Sequence, residues 1–316
     1  DHLGVFFSER DESLPDEESF DLNFLDRYHH LDDLVQSLVS SMHGLPASAL
    51  HDFDIANAVS ARLLRLHRAG ALPLGGPGEA SHDALREGVM PLLCAWRDSR
   101  LAFPRRLERL ALSVDCEGVR VELSLDQRFA CDDPAAGSIR LLTHPAEVLR
   151  RSIKRAEPVA HPLISAWVDA LVAGACGHRQ PTRILARDGT LQIAPIDADQ
   201  ALAQLGELVR FHQKALIAPL PVAPKTALAF LAAKSDPEAD AAFAYEGDPH
   251  TRGEVTDPTL ARCFPDFEAL SEGGQFEHFA RTVYGALAHW VTTSVTGQRH
   301  ASTADDLSAE TAGDAA

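Results

Sequence analysis

A chain of 316 residues, 45% of them hydrophobic, is long enough to bury a large core in one or two domains. Its formal charge of −17 excludes a uniformly basic nucleic-acid binder, because phosphate contact needs a local positive field. No run of about 18 apolar residues could span a bilayer, and the N-terminus is acidic rather than basic and apolar, so a soluble, cytoplasmic protein is expected.

The five cysteines, Cys94, Cys116, Cys131, Cys176 and Cys263, are far apart and never form a C-x-x-C pair. That pattern argues against both a disulfide framework and a zinc knuckle. The first residue is Asp1 rather than methionine, which points to a piece of something longer. Charge is unevenly spread. Acid concentrates in "SERDESLPDEESFD" near the start and in "STADDLSAETAGD" at the end, both of which read as solvated segments. Base concentrates in "RDSRLAFPRRLER" (97–109) and "LRRSIKR" (149–155).

In chain order, "LDDLVQSLVSSM" sets Leu31, Leu34, Val35, Leu38, Val39 and Met42 on one helix face. Ile55, Val59, Leu63 and Leu66 predict a second helix, and the stretch from Leu85 through Val89 to Trp96 a third, started or kinked by Pro91. Between them "LPLGGPGEA" (72–80) has the composition of a loop. The period then changes. In "GVRVELSLDQRF" Val119, Val121, Leu123 and Leu125 alternate with polar residues, predicting a half-buried strand. "GSIRLLTH" (137–144) predicts another strand. Two more, around Ile184 and over Leu191–Ile193, are joined by Asp188-Gly189 as a hairpin signal.

A helix with Leu163, Trp167, Leu171 and Val172 on one face lies between the strand pairs, closed by the glycines of "AGACG". Asp197 and Gln200 then open a long helix in capping-box spacing. In "PLPVAPKTALAFL" (219–231) Pro219, Pro221 and Pro224 rule out helix interior and predict an extended connector before the next helix. Near the end, Phe276, Phe279, Val283, Tyr284, Leu287 and Trp290 predict a helix face that closes the core, and the residues after 295 read as a dispensable tail. The class is mixed α/β, with no internal repeat.

Motifs for chemistry are sparse. "GGPGEASH" has no lysine and cannot act as a P-loop, and neither G-x-S-x-G nor H-E-x-x-H occurs. The fifteen histidines are scattered with no ligand spacing. A PD-(D/E)-x-K nuclease needs an acid on one strand and an acid-x-lysine on the next, to hold a metal and orient water. The strand 119–126 offers Glu122 and Asp126, but "GSIRLLTHPA" offers neither acid nor lysine.

The series "SLPDEESFDLNFLDRYHHLDDLV", "LLRLHRAGALPLGGPGEA", "HPLISAWVDALVAGACG", "PLPVAPKTALAFL", "YEGDPHTRGEVTDPTLARCF" and "FEHFARTVYGALAHW" resembles, in the same order, the C-terminal region of the RecC family, the gamma subunits of exodeoxyribonuclease V. The resemblance covers roughly residues 12 to 295. It implies a helical part (1–106), a degenerate PD-(D/E)-x-K nuclease-like α/β domain with C-terminal helices (107–295) and a disordered tail (296–316). It also implies a non-catalytic subunit of an ATP-dependent exodeoxyribonuclease/helicase complex in double-strand-break repair. Its partners there are a RecB-like nuclease-helicase, a RecD-like helicase and DNA whose split strands it guides. No cofactor or metal is implied.

The sequence departs from the family at Ala227–Phe230, where relatives tend to carry an aromatic, and around Thr256–Thr259. On this reading Arg140, Arg150, Arg151, Lys154 and Arg155 are the candidates for phosphate contact, and no residue is catalytic. Two other readings stand beside it: an active nuclease with Glu122 and Asp126 as metal ligands, and a protein-interaction module without DNA contact.

Overall fold

A computed structural model describes residues 20–133, 137–150 and 156–300. The chain starts with a helical layer: α1 (Phe24–His43), α2 (Ala47–His51), α3 (Ile55–Arg68) and α4 (Gly75–Ala102). Asn23 caps α1 by accepting from the Asp26 N–H, and Asp54 caps α3 by accepting from Asn57. The six apolar residues expected on α1 are all buried. Of the stretch 72–80 read as a loop, residues 72–74 do precede the helix, but Gly75–Ala80 form the start of α4. Pro77 is tolerated there because first-turn N–H groups have no intrahelical acceptor. Gly78 is needed because a Cβ at that position would lie 2.0 Å from the Pro73 carbonyl oxygen. Pro91 sits inside α4, which continues past it because Val89, Leu92, Leu93 and Trp96 are buried.

Strands follow: β1 (Arg105–Arg106), β2 (Leu110–Cys116), β3 (Val119–Leu125), β4 (Arg128–Ala130) and β5 (Ser138–His144). After them come α5 (Ile164–Ala175), β6 (Thr182–Ala186), β7 (Gly189–Ile193) and α6 (Ala198–Ala215). The C-terminal part holds α7 (Pro224–Ala232), α8 (Pro237–Glu246), α9 (Pro258–Cys263), α10 (Phe267–Ser271), α11 (Gln275–Phe279), α12 (Gly285–Ser294) and β8 (Val295–Arg299). The fold is mixed α/β, with a helical N-terminal part, a sheet core and C-terminal helices.

The main sheet has the order β1-β4-β5-β6-β7-β8. Only β5 and β6 pair in parallel, and α5 lies in the connection between them. Two cores share this sheet. Phe129, Ile139, Leu141 and Leu185 face α1–α4, while Ile184, Ala186, Leu191 and Ile193 face α5, α6 and the C-terminal helices. The alternation of strand side chains enforces this division.

Hairpin β2–β3 stands apart as a two-stranded sheet, turned at Glu117 (φ 49) and Gly118 (φ 74). It adds its apolar residues to the second core against α5 and α6. Its turn is tied down by Arg210, which donates to the Glu117 carboxylate at 2.5 Å.

The expected closing face is present. Phe276, Phe279, Val283, Tyr284, Leu287 and Trp290 are all buried, on a helical run that carries a π-turn over Ala280–Tyr284. One expectation fails beyond it. Residues 296–299, read as part of a tail, belong to β8, which pairs with β7 from Ile193↔Val295 to Gly189↔Arg299. Backbone pairing holds this strand, and "VTGQR" has too few apolar residues to reveal it by pattern.

Three histidines in the fold, His43, His144 and His161, are held below their ordinary pKa chiefly by burial. His43 lies between the Trp96 and Phe129 rings, with neither ring nitrogen hydrogen-bonded and the Arg106 and Arg100 charges nearby. His144 accepts from the Ala146 N–H, and the Asp188 and Asp32 charges only partly offset its burial. A lowered folded pKa means that the unfolded chain binds more protons below about pH 6.5. This contribution to stability is therefore intact above that pH and is lost as pH falls through the window down to the folded value. The melting temperature should fall between pH 7.5 and 5.5, and by less in His43→Leu. An identical fall in the variant would remove His43 from this account.

Candidate nucleic-acid interface

After β5 the chain leaves the sheet and doubles back. Leu149 bridges Pro158 in antiparallel fashion, Val159 N–H donates to the Val148 carbonyl at 2.7 Å, and Arg150 N–H donates to Glu157 at 2.9 Å. The Asp188 carboxylate fixes this arm by accepting from the Val148 and Leu149 N–H groups at 2.9 and 2.8 Å. Close packing fixes it further. A Cβ on Gly189 would lie 2.5 Å from Leu149 Cδ1, and one on Gly297 would lie 2.3 Å from the Ala156 carbonyl oxygen. Only glycine lets β7 and β8 approach the arm this closely.

The arm forms one wall of a groove of about 660 Å³ whose floor is apolar, made by Leu228, Leu231, Val291 and Val295. Its rim is basic. Arg150 and Lys225 are exposed, and neither has an ion-pair partner among the described residues. Glu157 is the one carboxylate in the lining. His161, at the base of the arm, has its pKa lowered by burial and by the Lys225 charge, with partial relief from Glu254. It is therefore neutral at pH 7.

The proline connector delivers Lys225 to this rim. Pro224 is the first residue of α7, and the Glu254 carboxylate accepts from both the Thr226 N–H and hydroxyl, at 2.7 and 2.8 Å. A lysine in the first turn opposes the helix dipole rather than complementing it. Helix stability thus gives no reason for a cation there, and this was the available sequence signal that pattern reading passed over.

The sequence-predicted phosphate contacts scatter. Arg140 is 8% exposed and donates to Asp169 of α5 at 2.7 Å, so it ties β5 to α5 and presents no free charge. The correction follows from strand alternation: in a sheet covered on both sides, the residue between Ile139 and Leu141 points into the other core. Arg150 does lie on the groove rim, whereas Arg151, Lys154 and Arg155 lie outside the described residues. The basic run 97–109 is divided. Arg100 is buried, with its guanidinium 4.3 Å from the centre of the Phe129 ring, while Arg105 and Arg106 are exposed on β1.

Glu122 is exposed on β3, and Asp126 follows that strand. Four residues of extended chain place them about 13 Å apart, too far to share one cation. Among the described residues no group of three or more His, Cys, Asp or Glu could hold a metal ion, and no helix is long and apolar enough to cross a membrane.

Residues 1–235 match the family model described as the RecC C-terminal domain. The RecBCD enzyme subunit RecC of Escherichia coli (strain K12) is 28% identical over 272 residues, covering 81% of this chain and 21% of that protein. The chain thus spans about a fifth of the length of the curated relative it matches.

Proposed function

The chain belongs to the RecC C-terminal domain family, and from that premise we propose that it is the C-terminal part of a RecC-like subunit. In this reading it works in an ATP-dependent exodeoxyribonuclease/helicase complex for double-strand-break repair. It scaffolds the RecB-like and RecD-like subunits and guides split DNA strands without cutting them. The family match over 235 of the 316 residues carries this reading. The groove supports it with a site for the strand: Arg150 and Lys225 are exposed on its rim and have no ion-pair partner among the described residues, which gives a local positive field on an acidic chain. A nuclease-like ancestry for residues 107–295 remains part of the proposal.

The active-nuclease reading draws no support from Glu122 and Asp126, which would need a third ligand and a water-orienting lysine beside them. The full chain should leave linear duplex intact with Mg²⁺ or Mn²⁺ and should co-elute with purified RecB-like and RecD-like subunits. Cleavage abolished by Glu122→Ala or Asp126→Ala would overturn the non-catalytic role. Separate elution would overturn the scaffold.

A further inference from the structure

The basic run 97–109 has no part in the groove, yet its arginines share one face of the main sheet with another. Register sets Arg106 of β1 opposite Phe129 and Arg183 of β6 opposite Leu141. Paired residues lie on the same sheet face, so both arginines belong to the side that Phe129 and Leu141 turn toward α1–α4. Beside the end of α4 that side holds a cleft of about 430 Å³, whose lining includes Phe103, Ile139, Arg179, Pro181, Arg183 and Gln192 and no carboxylate among the described residues. We propose that this cleft is a second nucleic-acid contact, taking one unstacked base of a single strand against the Phe103 ring while Arg106, Arg179 and Arg183 hold the flanking phosphates.

Charge and shape both favour this occupant. Arg183 donates to the Ser99 hydroxyl at 3.0 Å and, with the Gln192 amide turned to satisfy both groups, to the Gln192 oxygen at 2.6 and 3.0 Å. These neutral acceptors fix the guanidinium without cancelling its charge. Arg106 is exposed with no ion-pair partner among the described residues, and Arg179 meets Asp197 only at 3.5 Å in an exposed pair of little strength. The Arg183 guanidinium also lies 5.9 Å from the centre of the Phe103 ring, so cation and aromatic face meet in one place. Single-strand sites combine these two elements, a positive track for the backbone and a ring on which a base stacks. A duplex keeps its base faces covered, and an acidic peptide would use the charges but leave the ring idle.

Photo-cross-linking of the full chain at low salt to an oligonucleotide carrying 5-iododeoxyuridine, mapped by mass spectrometry, tests the ring contact. The expected product is an adduct at Phe103 with the single strand, several-fold weaker when the same strand is in a duplex. It should fall several-fold in Arg106→Gln/Arg179→Gln, two exposed positions, and persist in Arg150→Gln/Lys225→Gln, which keeps it distinct from the groove. Four results would overturn the proposal and leave the groove's role standing: adducts elsewhere but none at Phe103, an equal yield in the duplex, a yield unchanged in Arg106→Gln/Arg179→Gln, or displacement by a glutamate-rich peptide as effective as by unlabelled strand. Absence of any adduct on the chain would overturn both contacts.

Discussion

A chain ending at Ser294 should lose about 5 kcal/mol of stability relative to the full chain, whereas one ending at His300 should stay within about 1 kcal/mol of it. The difference lies in β8. Removing it takes away the buried Val295 and strips the edge of β7, where Leu191 and Ile193 are buried. It also exposes Leu149, which packs against Gly189 and Gly297. Each large side chain returned to water costs about 1.5–3 kcal/mol, and the freed N–H and C=O groups of β7 leave an open edge prone to pairing with other chains. Melting curves of the two truncations decide this, and equal stability would show that β8 contributes nothing to the core.

The second large effect is expected at Phe129. Phe129→Ala should cost about 3–5 kcal/mol, because this fully buried ring on β4 fills the space between the sheet and the helical layer. It meets the His43 ring edge-on at 5.8 Å and presents its face to the Arg100 guanidinium at 4.3 Å. Among the described residues Arg100 has one hydrogen-bond partner, the Phe103 carbonyl at 2.5 Å, and its Nε is buried without a hydrogen bond. The aromatic face is therefore a main source of favourable interaction for a desolvated cation. Phe129→Leu, which restores volume without the ring, should recover only part of the loss. Urea unfolding separates the outcomes, and a cost under about 1 kcal/mol for the alanine variant would contradict the shared-core arrangement.

Elements whose periodicity has one interpretation could be read directly from the sequence. The buried set of α1 and the closing face Phe276–Trp290 came from helical spacing, and β3, β5, β6 and β7 from alternation or β-rich runs. β2 was missed because Leu107, Leu110, Ala111 and Val114 also satisfy i, i+3, i+4, i+7, so the stretch before β3 fits a helix equally well. The start of α4 was hidden because glycine and proline signal turns unless tertiary contact overrides them, as the close approach of Gly78 to Pro73 does here. β8 was invisible because its pairing is carried by the backbone.

The groove was legible only in parts. Arg150 was named, but Lys225 lies 75 residues further on and reaches the same rim only through the packing of α7 beside the arm. Arg140 looked like a surface cation because nothing in its neighbourhood announces Asp169, 29 positions away on α5.

The central claim, that the rim of this groove is where the chain meets nucleic acid, is tested most directly by the salt dependence of single-strand binding. The slope of log affinity against log salt should be measured for the full chain and for Arg150→Gln/Lys225→Gln. Both substitutions remove exposed charges that have no ion-pair partner among the described residues and should leave the melting temperature unchanged. Each phosphate contact contributes about 0.7 to the slope for single strands, so the double variant should flatten it by about 1.4 and bind more weakly. An unchanged slope with unchanged affinity would contradict the account and place any nucleic-acid contact elsewhere on the molecule.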